Sequence, residues 1–333
     1  MKVLFILKKN GYTHGGGKHH YNSSGLFNSA KFVVDMLRDN GVDAELVTVV
    51  DNNGIDKEVT EFRPDVVIVE ALWVVPEKFD ILKNLHPNVK WIVRLHSDVP
   101  FLASEGVAVS WVFEYIKRGV YVAFNDKRAR ETFKEAAGSS RGFLYLPNYY
   151  PETRYDSEFK HPALHIGCFG AIRPLKNHLE QAMAAISYAN NKSKELHFYV
   201  NSRVEQGGEE VLKNLRSLFA NTQHTLKELP WLERRAFLVT MSKMDLAMCV
   251  SFTETFCLTA ADAVSVYTPL LCSSQVPWAS FLSIVPETNV KAIENGISRQ
   301  LCPLGVISAL FNSIKLVIYA RRSAKQWLRV LKD

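Results

Sequence analysis

The sequence predicts an α/β fold of two doubly wound parallel-sheet domains, and three observations lead there. The chain has 333 residues, more than a single core usually sustains. Short Val/Ile/Leu runs recur without polar alternation, the mark of parallel strands covered on both faces. Helical stretches separate most of these runs, and one proline-rich segment interrupts them midway. The expected division is residues 1–150 and 151–314, with a C-terminal helix over 315–333 that packs back on the first domain. Sheets of this kind bind ligands outside the carboxyl ends of their strands, so the two domains are expected to face each other across a cleft.

In order, VLFIL (3–7) predicts the first strand, followed by a glycine-rich loop and a helix near 24–40. ELVTVV (45–50), DVVIVEAL (65–72), KWIVRL (90–95) and GVYVAFN (119–125) complete the first series. LPNYYPETRYDSEFKHPAL (146–164), with three prolines, reads as the linker. The second series is LHIGCFG (164–170), a helix over 177–190, ELHFYVN (195–201) and a helix over 208–220. A helical 231–242, DLAMCVS (245–251), a helix beginning just after Glu254, and the strand PLLCSS (269–274) follow. The tail from Gly305 is helical and ends basic.

A hydrophobic share of 47% with 22% charged residues is globular composition and excludes disorder. Lys and Arg number 40 against 34 Asp and Glu, a surplus that suits an anionic ligand without demanding nucleic acid. The five cysteines are odd in number and form no C-x-x-C, so buried free thiols in a reducing compartment are expected. The apolar run in MKVLFILKKNG is too short for a signal peptide. No run approaches the roughly 20 apolar residues of a membrane span. The expectation is therefore a cytoplasmic protein with no transmembrane segment.

Two constellations carry chemistry. In GAIRPLKNH (170–178), Arg173 and Lys176 stand on a loop leading into a helix. Helix N-termini favour anions, and two fixed cations there could hold a diphosphate. Taken alone, the pair is equally compatible with surface charges. In SFTETFCLTAADAV, Glu254 would sit at a helix mouth and Asp262 two turns inside, an axial rise of about 12 Å. The amides of Phe256, Cys257 and Leu258 would lie between them, facing phosphate. A capping Glu with one polar-face Asp is the plain alternative. Gly15, Gly16 and Gly17 follow the first strand, without the G-x-G-x-x-G of a dehydrogenase. His96 follows the strand KWIV. His19 and His20 lack carboxylates at ligand spacing, and no Asp-x-Asp occurs, so no metal site is expected. RAR (128–130), ARR (320–322) with Lys325 and Arg329, and Arg234-Arg235 read as solvated faces, with a basic surface for an anionic acceptor as the alternative.

F-G-x-[IL]-x-P-x-K-N followed by T-E-T-F-C-L-T-A-A-D-A resembles the C-terminal half of retaining glycosyltransferases of the GT-B fold, family-four type. The match covers much of 164–275. The resemblance implies that a sugar passes from a nucleotide-diphosphate donor, with UDP the expected carrier, to an acceptor hydroxyl with retention, without metal or further cofactor. Arg173 and Lys176 would neutralise the diphosphate, Glu254 would bind the transferred sugar, and Asp262 would take the ribose position. Gly16 and Gly17 resemble the family's donor-phosphate loop, and His96 its strand-end histidine beside the sugar. Asp262 is one methylene shorter than the family's second glutamate, and Thr255 and Cys257 replace its glycines. The acceptor is left open among small metabolites, glycans, lipid-linked intermediates, protein and DNA. A phage-type enzyme acting on hydroxymethylated bases, a non-catalytic nucleotide-sugar-binding protein and a nucleotide-sugar 2-epimerase are the alternatives. Peripheral membrane contact is a further candidate.

Overall fold

The computed structural model describes residues 1–9, 25–152 and 162–332. By internal contacts the chain forms two units, Met1–Pro151 with Ala320–Asp333, and Glu152–Tyr319.

The first unit runs β1 (Lys2–Lys8), α1 (Gly25–Asp39), β2 (Asp43–Val49), α2 (Gly54–Phe62), β3 (Val66–Glu70), α3 (Lys78–Leu85) and β4 (Lys90–Leu95). The short α4 (Val99–Leu102), α5 (Ala108–Lys117), β5 (Tyr121–Phe124), α6 (Lys127–Ala137) and β6 (Phe143–Tyr145) complete it. Its sheet has six parallel strands in the order β2-β1-β3-β4-β5-β6. Alternate residues of the same strand enter opposite cores: Leu4 and Ile6 pack with Phe79 and Tyr115, whereas Val3 and Phe5 pack with Val33, Leu37 and Trp327. Both faces of the sheet are therefore dry, which is why the strand runs lack polar alternation. Helix α1 supplies its share through Ala30, Val33, Val34 and Leu37, an i, i+3, i+4, i+7 stripe that is wholly buried.

The second unit runs β7 (Leu164–Gly167), α7 (His178–Asn191), β8 (Leu196–Asn201), α8 (Gly208–Ala220), β9 (Thr225–Leu229) and α9 (Arg234–Met241). It continues with β10 (Leu246–Cys249), α10 (Leu258–Ser265), β11 (Leu270–Cys272), α11 (Val290–Gln300) and the start of α12 (Leu304–Lys332), whose residues from Ala320 onward belong to the first unit. Five parallel strands are ordered β11-β10-β7-β8-β9. The order reverses at β7, which pairs with β10 on one side and β8 on the other, and such a switch point opens a crevice beyond the strand ends.

Three expectations are corrected. Strands β6 and β9 were not anticipated; both are edge strands, and β9, TLKEL, is half-buried along its whole length and carries charge. The helix expected directly after Glu254 begins only at Leu258, because Cys257 takes a left-handed backbone, φ 63°, that ends the loop and cannot be helical. The third concerns α12, which by length and composition is apolar enough to cross a membrane, with 28% of its most apolar window buried. Counting uninterrupted apolar runs overlooked it, since Ser308, Asn312, Ser313 and Lys315 punctuate the stretch.

Four of the five cysteines are buried and Cys302 is half-buried; all are free thiols. Burial pushes the Cys168 thiol up to about 12, which makes it inert as a nucleophile at neutral pH.

Candidate active site

The loops after β7 and β10 leave adjacent strands of the second sheet at their carboxyl ends, and they meet there. Lys176 donates to Glu254 Oε1 at 2.5 Å, so the two residues singled out from separate motifs are direct partners. Their side chains keep 18% and 9% of their surface exposed. Burial alone would lower the lysine's pKa, but the Glu254 carboxylate and the Cys257 sulfur together outweigh it and hold Lys176 above its ordinary range, hence charged. Arg173 lies close enough to act on Lys176 electrostatically.

The loop owes its shape to two residues that sequence reasoning passed over. Asn177 adopts a left-handed backbone, φ 55°, and its side-chain amide donates to Val250 O at 3.1 Å and Glu287 O at 2.8 Å. Gln181, one turn into α7, donates to Lys176 O at 2.8 Å and accepts from Val250 N at 2.9 Å. Phe252 N donates to Leu175 O at 3.0 Å, stitching the two loops together. Asn tolerates the left-handed region better than other side chains, which gives the Lys-Asn dipeptide its structural meaning. Gly170, φ 115°, opens the loop where an L side chain would be strained.

His178, the first residue of α7, is 1% exposed, and neither ring nitrogen has a hydrogen-bond partner among the described residues. Burial, with Lys176 and Arg173 nearby, drops its pKa to about 3, so it is a neutral imidazole. It lines a small cavity with Cys168, Lys176, Gln181, Glu254 and Cys257.

Glu254 stands on the loop four residues ahead of α10, so it is not at the helix mouth, and Asp262 lies about one turn inside. The expected axial rise between the two acids therefore does not apply. Phe256 lies in the loop, Cys257 caps the helix, and Leu258 is its first residue. The Phe256 carbonyl accepts from Trp278 Nε1 at 2.8 Å, which anchors the turn. Asp262 is buried and accepts from Arg234 at 2.9 Å, so Arg234 is an internal partner and not a solvated charge.

His96 belongs to the first unit, just beyond β4. Its Nε2 is bonded to Glu70, the last residue of β3, and Arg94 donates to the same carboxylate at 3.1 Å. Arg94 also reaches Asn148 Oδ1 at 2.6 Å, and Ser29 donates to that oxygen at 2.7 Å. Burial alone would raise the Glu70 pKa, but Arg94 and His96 outweigh it and hold the carboxyl below its ordinary range. His96 is itself lowered, burial prevailing over the Glu70 attraction. Glu70 thus orients the ring of His96. An acid at the carboxyl end of an otherwise apolar strand, VVIVE, was the signal available for it. Gly16, Gly17, His19 and His20 lie outside the described residues.

No protein-family model and no curated protein matches the chain. Solved structures do. HepE of Anabaena, in complex with UDP and glucose, is similar with a TM-score of 0.69 at 13% identity, covering 100% of this chain and 99% of its own. Sucrose-phosphate synthase from Thermosynechococcus elongatus gives 0.72 at 11% identity, covering 100% and 98%. A glycosyltransferase from Rickettsia africae gives 0.67 at 11%, covering 99% and 97%. At such identities the likeness speaks to architecture, and the chain has the GT-B fold of two doubly wound α/β units.

Proposed function

We propose that this chain is a glycosyltransferase that draws a sugar from a nucleotide-diphosphate donor and passes it, with retention of configuration, to an acceptor hydroxyl. The observation that carries the reading is the Lys176–Glu254 pair at the switch point of the second sheet. A charged lysine beside Arg173 offers neutralisation where the departing diphosphate gathers charge, and catalysis comes from stabilising that developing charge. Glu254, with Oε1 held by the lysine, accepts through its second oxygen from hydroxyls of the transferred sugar and fixes its orientation. The UDP held by HepE supports a uridine carrier. Asp262, engaged by Arg234, is assigned with it to the nucleotide end. His96, oriented by Glu70, is assigned to the sugar.

A thermal-shift screen of nucleotide-sugars tests this, since a ligand that binds only the native state raises the melting temperature. One UDP-sugar is expected to stabilise the protein and to be consumed in the presence of acceptor. Removing only one partner of the buried pair costs about 3–5 kcal/mol of stability through the charge left behind. The informative variant is therefore the double change Lys176→Met with Glu254→Gln, which keeps volume and removes both charges. It is expected to fold and to lose both the shift and transfer. A wild-type protein that responds to no nucleotide-sugar, or a double variant with normal transfer, would overturn the assignment.

A further inference from the structure

Helix α12 is built inside out over its first half. Its buried line is Gly305, Ser308, Asn312 and Leu316, small or polar residues apart from the last. Ser308 shares a hydrogen bond with Ser283 at 2.7 Å, and Asn312 donates to Ser283 and accepts from Ser280 N, both at 2.7 Å. The apolar residues point the other way. Leu304, Val306, Ile307, Leu310, Phe311, Ile314 and Ile318 are all exposed, Val306 to 75% and Leu310 to 61%. Phe281, 73% exposed, adds to them from the turn that Ser280 and Ser283 hold against the helix. Seven large apolar side chains on fifteen residues of one helix form a patch that water does not favour and that the helix's own unit does not cover.

The charge on the helix is equally one-sided. Residues 304–332 include Lys315, Arg321, Arg322, Lys325, Arg329 and Lys332 and no Asp or Glu. The protein has 40 Lys and Arg; without these six, 34 cations meet 34 anions, so the entire +6 surplus resides on this helix. By helical spacing Ile307, Phe311, Ile314 and Ile318 lie on one face, and Arg322, Lys325 and Arg329, all exposed, continue it.

We propose that α12 is a membrane-surface element: the apolar stretch 304–318 enters the headgroup–acyl boundary of a bilayer, and the cations that follow bind anionic lipid headgroups. An apolar stretch continued along the same face by cations matches a bilayer surface, where the acyl boundary lies beside anionic headgroups. A second copy of this helix offers no carboxylate to meet the cations, whereas an anionic bilayer offers both an apolar interior and countercharge. Crossing the bilayer does not fit, because residues from Ala320 onward are built into the first unit, where Ser323 and Trp327 are buried. The proposal is independent of the donor-site reading.

The test is co-sedimentation of the full chain with vesicles of phosphatidylglycerol and phosphatidylcholine, against phosphatidylcholine alone. The expected result is at least about tenfold stronger binding to the anionic vesicles, weakened by high salt. Leu310→Glu with Phe311→Glu should abolish it at an unchanged melting temperature, since both side chains are exposed. Arg322→Glu with Arg329→Glu should abolish the preference for anionic lipid. Absence of binding, or binding that survives both double variants, would overturn the proposal. So would a dimer in sedimentation velocity that Leu310→Glu with Phe311→Glu dissolves while vesicles bind nothing, or resistance to alkaline carbonate extraction.

Discussion

His178 shows how one side chain can tie the site to stability. The unfolded chain takes up a proton as pH falls through about 6.5, while the native imidazole stays neutral to about 3. The unfolded state therefore binds more protons in that window, and stability is lost as pH falls through it, by about 5 kcal/mol at most. His178→Asn should remove this acid limb. Denaturant unfolding at pH 7 and pH 4 should show the variant losing about 3 kcal/mol less than the wild type between the two. Equal losses would mean that the ring is not sealed from solvent. Nothing in the sequence separated this histidine from the others, because its isolation arises from its burial in the folded unit. The Lys176–Glu254 pairing was legible as two motifs but not as a contact, since 78 residues separate the partners.

At the scale of elements, the start of α10 is set by Cys257, whose φ of 63° belongs to a region that costs ordinary side chains about 1–2 kcal/mol. Cys257→Gly relieves that cost and gives up a small buried side chain, so its stability should stay within about 1 kcal/mol of wild type. Cys257→Val, β-branched in the same conformation, should lose about 3 kcal/mol or more, read by the same denaturant titration. If valine were tolerated as well as glycine, the turn would not be what starts the helix there. The reading of TFCLTAADAV as helix directly after Glu254 failed for this reason: composition shows helix-compatible residues but not a left-handed residue. The central strands were legible because each is apolar on both faces, and KWIVRL coincides with β4 residue for residue. Edge strand β9 was not, because one flank of an edge meets water and tolerates the charges of TLKEL.

Across the whole molecule, the two-sheet architecture could be read from strand recurrence, whereas the membership of residues 320–332 in the first unit rests on particular contacts. Trp327 is fully buried, lies tilted against Phe5 at 5.7 Å between ring centres and donates to Pro147 O at 2.7 Å. Val330 and Leu331 share its core. A chain ended after Tyr319 should therefore lose far more than a terminal helix. Emptying a site of indole size costs about 3–5 kcal/mol, and the loss should appear as a lowered first transition in differential scanning calorimetry. A melting profile unchanged by the truncation would contradict this packing. The same feature bears on synthesis. A ribosome delivers β1 to β6 long before Trp327, so the first unit waits with an open core while the second is being made. The N-terminal unit is thus the last to be completed, and a nascent chain stalled near residue 319 would present that unfilled core to chaperones.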